Sequence, residues 1–486
     1  MTTSLYVALA LYLLLLVVIG LWAAARTRNA EDFFLAGRRG GLWAIGLATM
    51  AASFSSFVFL GGPGLTYSVG VGAFFITLPV GFTAGLLCRS LAPELRRLAG
   101  EGVLTIPEAL GRRFPGRSVP ALAAVAILLG SIAYLGLQLQ GIALLLRVLM
   151  GVEDPRWALL VAVGVMLLYS VAGGMVAGLY TDVLQGVLML IAAAVVFLRV
   201  AQTTGGWSAW FEALRLDRGD AFLIPQGSLP LMTVLGFFFV FGVGVLGQPH
   251  LVHKFMMLRD PKQLRYLPAV FGGSQLVCLS IWFALGLGVP ALVAQGKLAP
   301  LAQPDMATPT FLVTFLPPAL AGLLVAGVFA AVMSTADSFL NLGAAALVRD
   351  LPRAFGRQLS HELRWSRVAV LLIAAIASLF AVVYADLIAL VGTFAFGAFA
   401  AALAPVLVCG FGWRQLSSRA AAWSIVVGLS SALLLEFFAK QNWFSNLPKP
   451  PLVAGAMPSA VALALSFATL ALAASFRNRD AVDGDG

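Results

Sequence analysis

Apolar residues along the chain fall in runs of about twenty, the length that carries an α-helix across the hydrocarbon core of a bilayer. Short polar or basic intervals separate them. Thirteen spans are predicted, at 4–25, 42–66, 70–89, 119–150, 157–176, 178–200, 229–250, 267–293, 311–347, 368–384, 386–410, 420–439 and 452–476. The intervals alternate in charge. Of the 31 Lys and Arg, 23 lie in every second one, including Arg26 to Arg39, Arg89 to Arg117, Lys254 to Arg265 and Arg349 to Arg367. Basic intervals face the cytoplasm, so the N-terminus is expected outside and the C-terminus inside, which agrees with an odd number of spans. Ser4 to Ala25 is too long for a signal-peptide core and has no basic residue before it, so it reads as the first spanning helix.

Composition sharpens this into an all-α polytopic membrane protein surrounded by lipid bilayer. The chain is 60% apolar and 11% charged, against about 25% charged in soluble domains, with a mean hydropathy of +0.96. A bacterial inner (plasma) membrane is the expected location. The net charge of +10 is strung between apolar runs, so a nucleic-acid partner is not expected. Cys88, Cys278 and Cys409 lie far apart and the chain has three His, which fits neither a disulfide framework nor a Cys- or His-rich metal site. No phosphate-cradling glycine loop, HExxH or extramembrane Ser/His/Asp set occurs. The chain is therefore expected not to be an enzyme and to need no organic cofactor.

Helix breakers interrupt several spans. GGPG (residues 61–64) lies in the second, GQPH (247–250) ends the seventh, and Gly173–Gly174 precede the sixth. Interrupted helices free backbone carbonyls at membrane depth, where only protein or a cavity can satisfy them, and in secondary transporters such breaks build the ion and solute sites. Spans two to six and seven to eleven form two sets of five. Five is odd, so the sets run in opposite topology. The expected organisation is an extra N-terminal helix with a basic loop (1–41), a first five-helix repeat (42–200) and an extracytoplasmic loop (201–228). A second repeat (229–410) and two C-terminal helices with a short cytoplasmic tail (411–486) complete it.

Polar side chains inside the apolar runs mark the candidate site. The stretch AAVMSTADSFLNL (330–342) carries Ser334, Thr335, Asp337, Ser338 and Asn341, which fall within an arc of roughly 160° at 100° per residue. An ionised Asp at mid-membrane costs on the order of 2.5–3.5 kcal/mol, so something must compensate Asp337. Hard cations such as sodium favour carboxylate, hydroxyl and carbonyl oxygens. The alternative is that the hydroxyls bond back to their own helix and Asp337 pairs within the bundle. Thr181, Asp182 and Gln185 share an arc of about 100° in the sixth span, with Asp182 either a functional carboxylate or a helix-start cap. Ser53, Ser55 and Ser56 precede GGPG, where they either flank exposed carbonyls or mediate close helix packing. Tyr134 and Gln138 of span four either face a solute or bond a neighbouring helix.

These motifs together resemble the sodium:solute symporter family. The resemblance runs from about residue 30 to 410 through EDFFLAGRRGGLWAIG, GGPG, TIPEALGRRF, GGMVAGLYTDVLQGVLM, GQPHLVHKFM and AAVMSTADSFLNL. It implies a LeuT-type 5+5 inverted repeat of about 13 transmembrane helices, and sodium-coupled import of a small organic solute by alternating access. The main sodium site would map onto the backbone carbonyls of Ala51, Phe54 and Ala331 and the hydroxyls of Ser334 and Thr335. A second cation site in some relatives would map onto Asp182, Ser334, Asp337 and Ser338. A solute pocket is expected around Ser53, Ser55, Tyr134, Gln138 and Phe241. GQPHLVHKFM is most similar to the sodium/proline branch, and the SSF…GGPG stretch to the sodium/pantothenate branch. Ser53 stands where the proline branch has Asp, and Phe241 and Val245 replace its aromatic pattern. These departures point away from proline itself, and the expected solute is a small organic molecule, an amino acid such as proline or a carboxylate such as pantothenate. The competing expectation is a transport-like sensor that binds a solute and signals to a partner protein.

Overall fold

The computed structural model describes residues 3–151, 154–384, 386–413, 415–440 and 456–482. The beginning of the last predicted span and the end of the C-terminal tail lie outside these residues. Helices account for nearly all of the described chain, and ten of them are long and apolar enough to cross a membrane. Leu42–Ser53 and Pro458–Ala474 are shorter apolar helices. Thirteen spans were expected, and the structure departs from that pattern mainly where segments are interrupted.

Two interruptions place the site. The first lies in the predicted 42–66 span. Leu42–Ser53 stops at Phe54, whose φ of −105° and ψ of 119° are extended, and the helix resumes as a wide π turn over Phe57–Gly61 that leads into Gly62–Val69. The second follows Leu231–Val243. A short 3₁₀ turn, Gly244–Gly247, and an extended Gln248 precede a new helix, Pro249–Met256, with Pro249 in its first turn. Proline is pre-organised there, because its missing N–H would have no intrahelical partner anyway. Each five-helix set therefore opens on a broken helix, as an inverted repeat requires.

The break expected at GGPG falls instead at the serines before it. Ser55 Oγ accepts the Phe57 N–H at 3.1 Å and so starts the second half-helix. The glycines serve approach instead of rupture: a Cβ at Gly62 would lie 2.2 Å from the Trp282 ring, and one at Gly61 2.7 Å from the Ala389 backbone. Gly174 is a true breaker. Its φ of 53° divides Pro155–Thr204 into two helices, and the Phe33 ring fills the space a side chain would need.

Other expected spans change shape. The 311–347 span is two elements, Ala307–Phe315 and Pro318–Ala345, parted at Leu316–Pro317. The 70–89 span begins as a 3₁₀ segment, Gly70–Ile76, before Val80–Ser90. TIPEALGRRF forms the expected short helix, Ile106–Arg113, with Thr105 accepting the Glu108 N–H as its N-cap. The Pro318–Ala345 helix is buried from Gly327 to Ala345. It packs against the Gly174–Thr204 helix, the Ser118–Met150 helix and the first broken helix, which puts its polar arc at the centre of the bundle.

Candidate functional site

Thr335 stands opposite the first break. Its hydroxyl lies 3.2 Å from the Ala52 carbonyl oxygen, 3.3 Å from that of Phe54 and 3.2 Å from that of Ala331. A hydroxyl has one hydrogen to donate, so three carbonyl acceptors and a hydroxyl oxygen converge with one proton among them. That surplus of oxygen in a fully buried position suits a hard cation. The Ala51 carbonyl accepts the Phe54 N–H at 3.3 Å, and it is the Ala52 carbonyl, one residue on, that faces Thr335.

Ser334 points elsewhere. Its hydroxyl donates to Asp182 Oδ1, and the other carboxylate oxygen, Oδ2, is 2.5 Å from Lys254 Nζ. Asp182 and Lys254 are each 1% exposed. Asp182 lies inside the helix that follows Gly174 and does not cap its start. Its neighbours Thr181 and Gln185 bond back to Ala177 and across to Tyr12, respectively. Asp337 is buried one turn away, with its Oδ2 against Gly178, where a Cβ would meet it at 2.5 Å. Ser338 is buried beside Asp337. The two aspartates thus face the same interface between helices, and the ion-pair partner of Asp182 is Lys254.

A small cavity of about 60 Å³ lies between the two broken helices. Ser53, Tyr134, Phe241, His250, Gln275 and Trp282 are among its lining residues, and none of the lining side chains is Asp, Glu, Lys or Arg. Phe241 stacks on Phe57 (5.4 Å between centroids, 3° between planes) and on Phe396 (4.3 Å, 24°). Tyr134 stacks on Phe339 at 4.5 Å. Gln275 Nε2 donates to Ser53 Oγ at 3.2 Å, while Gln275 Oε1 and His250 Nδ1 are buried with no hydrogen-bond partner among the described residues. A buried polar atom without a partner costs about 1–3 kcal/mol, and a solute donor would relieve that cost.

Ser53, Tyr134 and Phe241 therefore meet at the cavity, whereas Gln138 and Ser55 shape the break beside it. Gln138 Oε1 accepts the Ser56 N–H at 3.1 Å and its hydroxyl at 3.0 Å, satisfying backbone freed by the interruption. Lys254, Gln275, Trp282 and the Ala52 carbonyl were not anticipated. Lys254 lies near the end of the GQPHLVHKFM motif and was grouped with a cytoplasmic loop, yet it sits inside the bundle.

Polar groups also cluster away from the cavity. At one end of the bundle, Arg349 meets Glu108 at 2.9 Å and Glu362 at 2.7 Å, and Arg353 meets the same carboxylates at 2.8 and 3.0 Å. Thr105 donates to Asp350 at 2.6 Å. Elsewhere, a basin of about 620 Å³ is lined by Gln140, Arg147, Arg156, Asp305, Asp386 and Ile388, among others. Asp305, in the segment between the Leu267–Ala294 and Pro318–Ala345 helices, accepts the Ile388 N–H at 2.8 Å at the start of the Ile388–Gly412 helix. Burial pushes the Asp305 carboxyl up to about 7, with the Ile388 N–H pulling it down and Asp386 pushing it up.

Comparison with known proteins gives this geometry a context. The family model for the sodium:solute symporter family matches residues 33–428. The chain is 26% identical over 445 residues to the osmoregulated proline transporter OpuE of Bacillus subtilis, covering 89% of each chain. It is 29% identical over 398 residues to the sodium/pantothenate symporter of Haemophilus influenzae, covering 80% of each. In fold it is similar to a sodium-coupled sialic acid symporter solved in a substrate-bound, outward-open state. That match has a TM-score of 0.78 at 21% identity and covers 97% of this chain and 98% of the other. These relatives are transporters, which lends the sensor alternative no support.

Proposed function

The chain belongs to the sodium:solute symporter family, and we propose that it imports a small neutral or zwitterionic solute with sodium bound at Thr335. It is a multi-pass membrane transporter of LeuT-type fold, and it is not an enzyme. The observation that carries the sodium assignment is the cluster of the Ala52, Phe54 and Ala331 carbonyls around the Thr335 hydroxyl. A sodium ion there would pin the interrupted helix to the Pro318–Ala345 helix, and its departure would release one from the other. Ser334 lies beside this set, and its hydroxyl ties the sodium region to Asp182.

Solute recognition is assigned to the cavity between the breaks. An uncharged lining favours a solute without net charge, while the aromatic wall of Phe57, Phe241, Phe396 and Trp282 offers an apolar face. Ser53, Tyr134, Gln275 and His250 supply the polar groups, the usual composition of a solute pocket. This fits an amino acid such as proline better than a carboxylate whose charge would need its own partner. The proposed orientation in the bacterial inner membrane has the N-terminus outside and the C-terminus in the cytoplasm, as the basic intervals indicate. Uptake of labelled proline and labelled pantothenate into proteoliposomes, with and without an inward sodium gradient, tests the reading. Sodium-stimulated accumulation of proline is expected. Uptake of either solute that ignores sodium would overturn the coupling assignment.

A further inference from the structure

Asp182 is a carboxylate deep in the bundle whose two oxygens are both engaged, one by the Ser334 hydroxyl and one by the Lys254 ammonium. Lys254 is delivered there by the second break. Gln248 is extended, Pro249 restarts the helix, and Lys254 lies in the last turn before Met256. Its ammonium is a cation that does not leave, held by the chain itself beside the oxygens that a mobile cation would use. A sodium ion at Asp182 would sit within a few ångströms of that fixed positive charge, in an interior where like charges repel far more strongly than in water. The pair also needs no added ion, since removing one partner of a buried ion pair is what leaves an uncompensated charge.

We propose that the Lys254 ammonium is the resident cation of the Asp182–Ser334 site, so that the protein binds a single sodium ion, at Thr335. The proposal rests on the sodium-coupled reading above and adds its stoichiometry. Lys254 acts here as a positioning residue. It holds Asp182, and through it Ser334, in the arrangement a second sodium would otherwise impose, so that the Asp182 carboxylate keeps its counter-charge throughout the cycle.

Equilibrium binding of radioactive sodium to the purified full-length protein reads the number directly, with no solute needed. One sodium per chain is expected for the unaltered protein and for Lys254→Arg, with a Hill coefficient of one. Lys254→Gln leaves the Asp182 carboxylate without its ammonium, and binding should rise to two sodium ions per chain with a Hill coefficient above one. Two sodium ions in the unaltered protein, or one in Lys254→Gln with unchanged affinity, would overturn the proposal. If Lys254→Gln does not fold, the ratio in the unaltered protein and in Lys254→Arg decides it. Thr335→Val should weaken that single site about tenfold, and an unchanged sodium affinity in this variant would also count against the proposal. Absence of any sodium binding would instead overturn sodium coupling itself, a separate failure.

Discussion

The Thr335 hydroxyl carries one hydrogen and has three carbonyl oxygens within 3.3 Å. Thr335→Val keeps the shape and removes the oxygen, so the sodium concentration for half-maximal uptake should rise about tenfold, the effect of losing roughly 1.4 kcal/mol of ligation. Ser334→Ala should move it less, because that hydroxyl is spent on Asp182. Gln275 is the sharpest test of the solute pocket. Gln275→Met conserves volume but removes the unpaired Oε1, and the solute half-saturation should rise on the order of tenfold if one hydrogen bond of about 1–1.5 kcal/mol is lost. Sodium binding measured without solute should stay as it was, and a parallel loss of both would mark Gln275 as structural. Ser334, Thr335 and Asp182 were legible in the sequence because a polar residue in an apolar run must be compensated. Lys254 was not, because a basic residue just after an apolar run is indistinguishable from a loop charge until the helix is seen to continue to Met256. Gln275 was equally silent, one amide beside Ser274 in a long apolar helix with nothing in its spacing to single it out.

The interruptions at GQPH and Gly174 stand where the sequence places them, the one at GGPG falls earlier, and the parting at Leu316–Pro317 was not foreseen. Glycine and proline in GGPG suggested the rupture, but small residues also permit close approach, and here they let Trp282 and the Ala389 backbone pack against the helix. The serines hold the break because a hydroxyl can satisfy a freed amide, as Ser55 does for Phe57. Asp305 gives the outer segment a pH dependence. Its carboxyl ordinarily titrates at 3.8 and is held at about 7 by burial, so the fold favours the neutral form. That stabilisation is complete below about pH 4 and is lost as pH rises through 7. Asp386 opposes ionisation, while Arg147 and Arg156 line the same basin. The melting temperature in detergent should therefore fall between pH 5 and pH 8. Asp305→Asn, which imitates the neutral acid, should flatten that fall, and an unaltered slope in the variant would place the titration elsewhere.

At the scale of the whole molecule, the class of fold followed from apolar run lengths and the alternation of basic intervals, both direct consequences of a bilayer acting as solvent. The opposite orientation of the two five-helix sets is an expectation from counting alone. A cytoplasmic reporter fused after residue 360 should be active, and one fused near 300 should be active only in an extracytoplasmic assay. Activity of both on the same side would break the inverted arrangement. The ion pair of Lys254 and Asp182 has a consequence for what such a carrier can achieve. With its own ammonium in place of a second ion, each cycle with a neutral solute moves one positive charge inward, worth about 2.3 kcal/mol at 100 mV. Voltage alone can then hold a solute about 50-fold more concentrated inside than outside. A two-sodium relative could reach the square of that ratio but would draw twice the current for every molecule taken up. The tethered charge thus suits a cell that takes up a moderately abundant solute cheaply, rather than one scavenging traces.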